Sequence, residues 1–416
     1  MPDIQEQLAL LRQRVAKIDR KWANAGPSQP GAHRFIQELM SGQVVATPFG
    51  EHFETEKLYE RHRRHGSMDI SNLIELPPDV LDALSNGAVP SSHPTRWAFL
   101  DTETTGLAGG AGTYAFLIGV GSIDEEGFRV RQFFMRDYCE EASLLHALAE
   151  HLSRFDVLVT YNGKAYDQPL LETRFRMARA RPPFTRMQHL DLLFGARRLW
   201  KLRLDSCRLV DLEHQILGVE RHGDLPGEMI PYYYFDFLRT QHAFRLVPIF
   251  HHNVMDIVSL ACFTAIVPMA FRSPEDLAVR HGADLVGLAR WLAQSERHEQ
   301  ALGLLRRAVD LGLPDDLLFR TLMDIASIEK KLGRSAAVLA AFTELAASPN
   351  PYRARAFEEL AKFYEHSERN YALALEMTCN GLALAESPPM RRREERLKRR
   401  LTQRRLSRAA KVPKRG

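Results

Sequence analysis

Residues 97–121 read WAFLDTETTGLAGGAGTYAFLIGVG, and no other stretch limits the possible folds as strongly. An apolar run that stops at a glycine cluster predicts a buried strand. Side chains alternate along a strand, so Asp101 and Glu103 point to one face and Thr102 to the other. Two carboxylates side by side at the end of a buried strand repel each other, and a divalent cation is the usual way to offset that. Glycines at 106, 109, 110 and 112 predict a flexible turn, and 113–121 predicts a second strand. The acidic pair then sits at the mouth of a β-hairpin. An isolated D-x-E at a strand end also fits a solvated surface pair, so the rest of the chain has to decide.

The strand at Trp97 follows a linker at 90–94. Residues 1–24 carry Leu8, Leu11, Val15, Ile18 and Trp22 at helical spacing. Residues 33–95 are mixed, with His52, His62 and His65 near acids but at no zinc spacing. An N-terminal helical or irregular extension over 1–95 is expected. From Trp97 the pattern is strand, strand and a third strand at 128–134, then a helix at 141–155. A short apolar strand at 156–160 ends at the turn signal Tyr161-Asn162-Gly163. A helix over about 165–180 and a candidate strand at 187–193 follow. This is a mixed α/β sheet with helices on its faces, over 96–270.

After Ser273-Pro274 the chain turns to Ala/Leu-rich helices. Three helix pairs align with Ala301, Ala337 and Ala372 in register, at intervals of 36 and 35 residues. A period near 34 built of helix–turn–helix units predicts tetratricopeptide-like (TPR-like) repeats over 275–388. Such repeats often offer a groove to a protein partner, although a plain helical bundle fits the pattern as well.

The last segment, 389–416, is a basic tail. Residues 391–416 hold 13 Lys and Arg against 2 Asp and Glu, so the other 390 residues carry 43 basic and 50 acidic residues. A strongly basic segment on a mildly acidic body reads as a tether for nucleic acid. Four widely spaced cysteines argue for a reducing compartment, without a disulfide framework or a structural zinc. No signal-peptide core or membrane-length apolar run is apparent, which predicts a cytoplasmic protein without membrane attachment.

Two further acids join the first pair. Asp167 closes Tyr161-Asn-Gly-Lys-Ala-Tyr-Asp167, and Asp256 closes His251-His-Asn-Val-Met-Asp256. With these four, the chain resembles the DEDD-type 3′→5′ exonucleases of the ribonuclease H-like superfamily. DTETTG looks like the first motif, YNGKAYD like the second and HHNVMD like the third. Together with GGAGTYAFLIGVG, DLPG at 224–227 and HNxxD at 252–256, the run 97–267 is most similar to the YprB-type subgroup, some of whose members carry a TPR-like C-terminal part. The resemblance implies an α/β RNase H-like domain with a five-stranded sheet in the order 3-2-1-4-5.

It also implies a metal-dependent nuclease acting on DNA or RNA from a 3′ end. Asp101, Glu103, Asp167 and Asp256 would be the ligands of two ions, with Asp101 between them. Four acids without sulfur ligands suit Mg²⁺ or Mn²⁺. Thr104, Thr105, Gly106, Asn162 and Lys164 are the candidate substrate contacts. A histidine near Asp256 would be the general base. In a continuous helix His252 shares a face with Asp256, which favours it; an N-cap at Asn253 would put both His251 and His252 before the helix. The alternatives are an endonuclease with the same acids, or a non-catalytic scaffold that keeps the fold for binding nucleic acid or protein.

Overall fold

The computed structural model describes residues 35–85, 88–89, 91–106, 112–221, 223–276 and 281–409. The helix expected over 1–24, Gly109 and Gly110, and the end of the basic segment from 410 lie outside the described residues. The described chain forms two compact units. The first runs to Arg197 and includes Leu204–Ser273; the second comprises Arg198–Arg203 and the residues from Pro274 onward.

Among the described residues the first unit has nine strands: β1 (Gln43–Thr47), β2 (Gly50–Glu60), β3 (Arg64–His65), β4 (Met68–Asp69), β5 (Trp97–Thr104), β6 (Ala115–Ile123), β7 (Gly127–Phe134), β8 (Val157–Thr160) and β9 (Gln188–Asp191). Seven of them make one sheet in the order β1-β2-β7-β6-β5-β8-β9, while β3 and β4 form a separate ribbon. From β1 to β5 neighbours are antiparallel, and β8 and β9 run parallel to β5.

The expectation of five strands is therefore corrected, because β1 and β2 come from the segment read as helical or irregular. Their signal is hidden by buried polar residues that satisfy one another. His52 bonds Ser143 Oγ through Nδ1 and Glu54 Oε1 through Nε2, each at 2.9 Å, and Arg131 closes on the same glutamate. A strand whose inward face carries His and Glu does not show apolar alternation. His65 is likewise buried, 2.7 Å from Ser259 Oγ.

Helix α1 (Glu141–Leu152) packs on β1, β2 and β7. Helices α2 (Asp167–Met177), α3 (Leu192–Trp200) and α4 (Ile230–Thr240) precede α5 (Val247–Arg272), which packs on β5, β6 and β7. Phe133 meets His151 of α1, whereas its neighbour Gln132 bonds Asn253 of α5, so the two helices cover opposite faces. Phe99, Phe116, Phe133, Phe134, Phe250 and Phe263 are fully buried between these layers. Each contributes about 1.5–3 kcal/mol relative to an exposed ring.

Gly119 lets α5 settle onto the sheet. A Cβ there would lie 2.2 Å from both Asn253 Oδ1 and Ile257 Cδ1. By length and hydropathy α5 is apolar enough to cross a membrane, contrary to the sequence reading, but most of it is buried inside this unit. A core helix meets the same criteria.

The second unit contains α6 (Gly282–Gln294), α7 (His298–Asp310), α8 (Asp315–Lys331), α9 (Ser335–Ala347), α10 (Arg353–His366), α11 (Tyr371–Leu384) and α12 (Pro388–Ala409), with α6–α7, α8–α9 and α10–α11 packing as pairs. The alanine register does not hold. Ala301 is buried, Ala337 half-buried and Ala372 exposed, because α7, α9 and α11 start 37 and 36 residues apart, slightly more than the alanines do. The first part of the basic segment is not a free tail. It is α12, docked through Met390, Arg393 and Leu397, and Arg393 and Arg396 both donate to the buried Glu365. Among the described residues none of the four cysteines forms a disulfide.

Candidate functional site

Strand β5, paired on both sides within the sheet, carries the first acids. Asp101 and Glu103 lie near its C-terminal end, next to an irregularity in the β5–β6 pairing between Glu103 and Thr104. Asp167 is the first residue of α2, where the helix dipole favours an ionised carboxylate. Asp256 lies in the third turn of α5. That helix starts at Val247, so Asn253 is not its N-cap and both histidines are helical. His252 is one turn before Asp256 on the same face, with Nε2 3.4 Å from Asp256 Oδ2. His251 is half-buried, one position around the helix.

The tightest group joins β5 to α5: ligand atoms of Glu103, His252 and Asp256 lie within 4.8 Å of one another. Asp101 and Asp167 stand outside that group, each held by a neighbour. Asp101 Oδ2 accepts from Asn253 Nδ2 at 2.8 Å, and Asn253 Oδ1 accepts from Gln132 Nε2 at 2.8 Å. Asp167 Oδ1 accepts from the Thr102 hydroxyl at 2.5 Å.

The acids feel one another electrostatically. Burial, then the charges of Asp256, Glu103 and Asp167, push the Asp101 carboxyl well above its ordinary range. Burial also raises Glu103 to about 7, with Asp256, Asp167 and Asp224 adding to it and His252 opposing. Asp167 rises to about 6 through burial, against the stabilising bonds from Thr102. His252 moves the other way. Burial alone would lower it, but Asp256, Asp224 and Glu103 raise it to about 10.

Three further side chains, Asp224, Arg221 and Glu213, complete this corner. His252 Nδ1 lies 2.9 Å from both oxygens of Asp224. Asp224 is held below its ordinary range despite burial, by His252 and Arg221. Arg221 donates to Glu213, Asp224 and Asp256. Glu213 opens a π-helical turn (Glu213–Leu217) and is fully buried; such turns are uncommon and often mark functional sites. The β3–β4 ribbon supports this turn from behind. Gly66, at φ +58°, passes so close that a Cβ would lie 2.1 Å from the Leu217 carbonyl oxygen, and the Ser67 N–H donates to that oxygen at 2.8 Å. The sequence signal for Asp224 was DLPG; Arg221 and Glu213 carried none.

The candidate substrate contacts fall in two turns. The Thr104 hydroxyl donates to the Gly106 carbonyl at 2.8 Å. The Thr105 N–H donates to the Tyr114 carbonyl, and the Tyr114 N–H to Thr105 Oγ1, both at 2.9 Å. Thr105's backbone donor is thus already used within the hairpin. In the second turn Asn162 has φ 66°, and the buried Asp191 accepts from the N–H groups of Asn162 and Lys164 at 2.8 and 3.1 Å. These two backbone donors are thus already used within the turn.

The donor set fits a divalent cation. Burial raises Asp101, Glu103 and Asp167, and neighbouring acidic charges add to it; such carboxyls call for a positive partner, and carboxylate oxygens without thiolates suit a hard ion.

The RNase H superfamily model matches residues 98–266, a span containing all four acids. The "Uncharacterized protein YprB" of Bacillus subtilis (strain 168) is 34% identical over 335 residues, covering 78% of this chain and 79% of that protein.

Proposed function

Because the chain belongs to the RNase H superfamily, and to the family of Bacillus subtilis YprB within it, we propose that it is a metal-dependent nuclease removing nucleotides from the 3′ end of DNA or RNA. The observation that carries this reading is the convergence of Glu103, His252 and Asp256 within 4.8 Å, beside two further acids on β5 and α2. A platform that only bound nucleic acid would gain nothing from burying carboxylates that repel one another.

Two Mg²⁺ or Mn²⁺ ions held by Asp101, Glu103, Asp167 and Asp256 would neutralise charge on the phosphate and the leaving oxygen and lower the pKa of the attacking water. His252 is the general base. Asp224 holds its Nδ1 and so fixes the ring, which leaves Nε2 to take the proton from water. The carboxylates that raise His252 to about 10 keep it protonated and unable to act as a base. Neutralising Glu103 and Asp256 removes what holds that proton, so the base becomes competent only in the loaded site. Asn162 and Lys164 meet the substrate through their side chains, and Thr104, Thr105 and Gly106 shape the other wall. Helix pairs that recur at 37 and 36 residues support a TPR-like reading of the helical unit, as a surface for a protein partner, even without the alanine register, and the cysteine usage suits the cytoplasm.

The test is incubation of purified protein with end-labelled single- and double-stranded DNA and RNA, with Mn²⁺ and with EDTA. Stepwise shortening from the 3′ end that needs Mn²⁺ and is lost in Asp101→Ala and Asp167→Ala is the expected result. Wild-type rates in Asp101→Ala would reject the assignment.

A further inference from the structure

Arg221 is the centre of the network behind the candidate site, and its side chain is only 5% exposed. Its planar fork is shared among three carboxylates. Nε donates to Glu213 Oε2 at 2.5 Å, one terminal nitrogen donates to Glu213 Oε1 and Asp256 Oδ1, and the other reaches Asp224 Oδ2 at 3.1 Å. Glu213 is fully buried in the π-helical turn and cannot swing away. The guanidinium is therefore anchored on one side and holds one oxygen of Asp256 on the other. Asp256 Oδ2 is left facing His252 Nε2 at 3.4 Å.

We infer that Arg221 is a positioning residue that restricts Asp256 to one-oxygen coordination and so biases the site toward small six-coordinate ions and against Ca²⁺. This rests on the proposal that Asp256 is a metal ligand. The chemistry follows from ion size. Ca²⁺ takes six to eight oxygens and commonly draws two from one carboxylate, whereas Mg²⁺ demands a tight octahedron and keeps several waters. A carboxylate with one oxygen committed to a guanidinium suits the second kind of ion. The fork geometry matters as much as the charge. A lysine ammonium at this position is a point charge and cannot bridge Glu213, Asp224 and Asp256 together.

Two variants of the full chain test this. Arg221→Lys keeps the charge and loses the fork. The double variant Arg221→Met with Glu213→Gln removes both charges of the buried pair, so neither is left uncompensated. Binding of Mn²⁺ and, separately, of Ca²⁺ is measured by isothermal titration calorimetry without nucleic acid. The preference for Mn²⁺ over Ca²⁺ is expected to fall by about tenfold in both variants, the lower end of what loss of a residue supporting a metal ligand costs. A wild-type preference in either variant overturns the role of Arg221. If the wild-type chain takes up neither ion, the metal reading itself fails, and the inference with it.

Discussion

Replacing Glu103 by Gln should stabilise the metal-free protein while destroying its activity. Glu103 is 8% exposed, and its carboxyl is raised from 4.5 to about 7, first by burial and then by the acids around it. A carboxyl whose folded pKa exceeds its unfolded value binds protons more tightly in the folded state. Its penalty is absent below about pH 4.5 and complete above about pH 7. At about 1.4 kcal/mol per tenfold, the gap makes the ionised side chain cost the fold about 3 kcal/mol at pH 8. Glutamine has nearly the same shape and no charge, so it recovers most of that amount. Hydrogen exchange of the β5–β6 amides reads it locally: in EDTA at pH 8 the variant should exchange roughly a hundredfold more slowly than wild type. The difference should vanish near pH 4.5. Saturating Mn²⁺ should reverse the ranking, because the wild type gains binding energy that the variant has lost. Equal or faster exchange by Glu103→Gln at pH 8 in EDTA would refute the reasoning.

His252→Ala should lower the single-turnover rate in Mn²⁺ and abolish the acid limb of its pH profile, whereas His251→Ala should keep the limb; the reverse pattern would transfer the base to His251. Asp224→Asn should lower kcat while leaving Mn²⁺ affinity, followed by calorimetry, within a factor of about two to three, since Asp224 positions the base; a large loss of affinity would count against that role. Leu397→Ala, at a fully buried position on α12, should destabilise the helical unit by about 2–5 kcal/mol in urea unfolding. Deleting 404–416, which removes six cations but spares the docked part of α12, should flatten the dependence of log affinity on log salt without changing which nucleic acids are cut; an unchanged slope would exclude a tether.

The acids of the candidate site stand out in the sequence because their local context is unusual. A carboxylate pair that ends a run such as Trp97–Leu100, ahead of several glycines, has few ordinary explanations, and Asp167 follows a recognisable strand–turn–helix pattern. The remainder was hidden because it depends on convergence. Nothing local to Arg221 says that it will meet Glu213 eight residues earlier and Asp256 thirty-five residues later. Asn253 looked like a capping residue, the usual place for an asparagine near a helix start, yet it is a buried clamp on Asp101. The β1–β2 hairpin was missed for a related reason: His52 and Glu54 are polar in sequence and inward in space, and each is tolerable there only because of the other.

The position of β2 has a practical consequence. A fragment starting at the linker before Trp97 keeps all four acids and follows the boundary that the sequence suggests. It would lack β2, which pairs with β7 along Phe53–Glu60 opposite Gly127–Phe134. Eight residues of β7 would lose their neighbour and present a bare row of N–H and C=O groups flanked by Phe128, Phe133 and Phe134. Such an edge recruits other copies of itself, so the truncated protein should sediment as aggregates, and inactivity in that fragment would report on solubility rather than on chemistry.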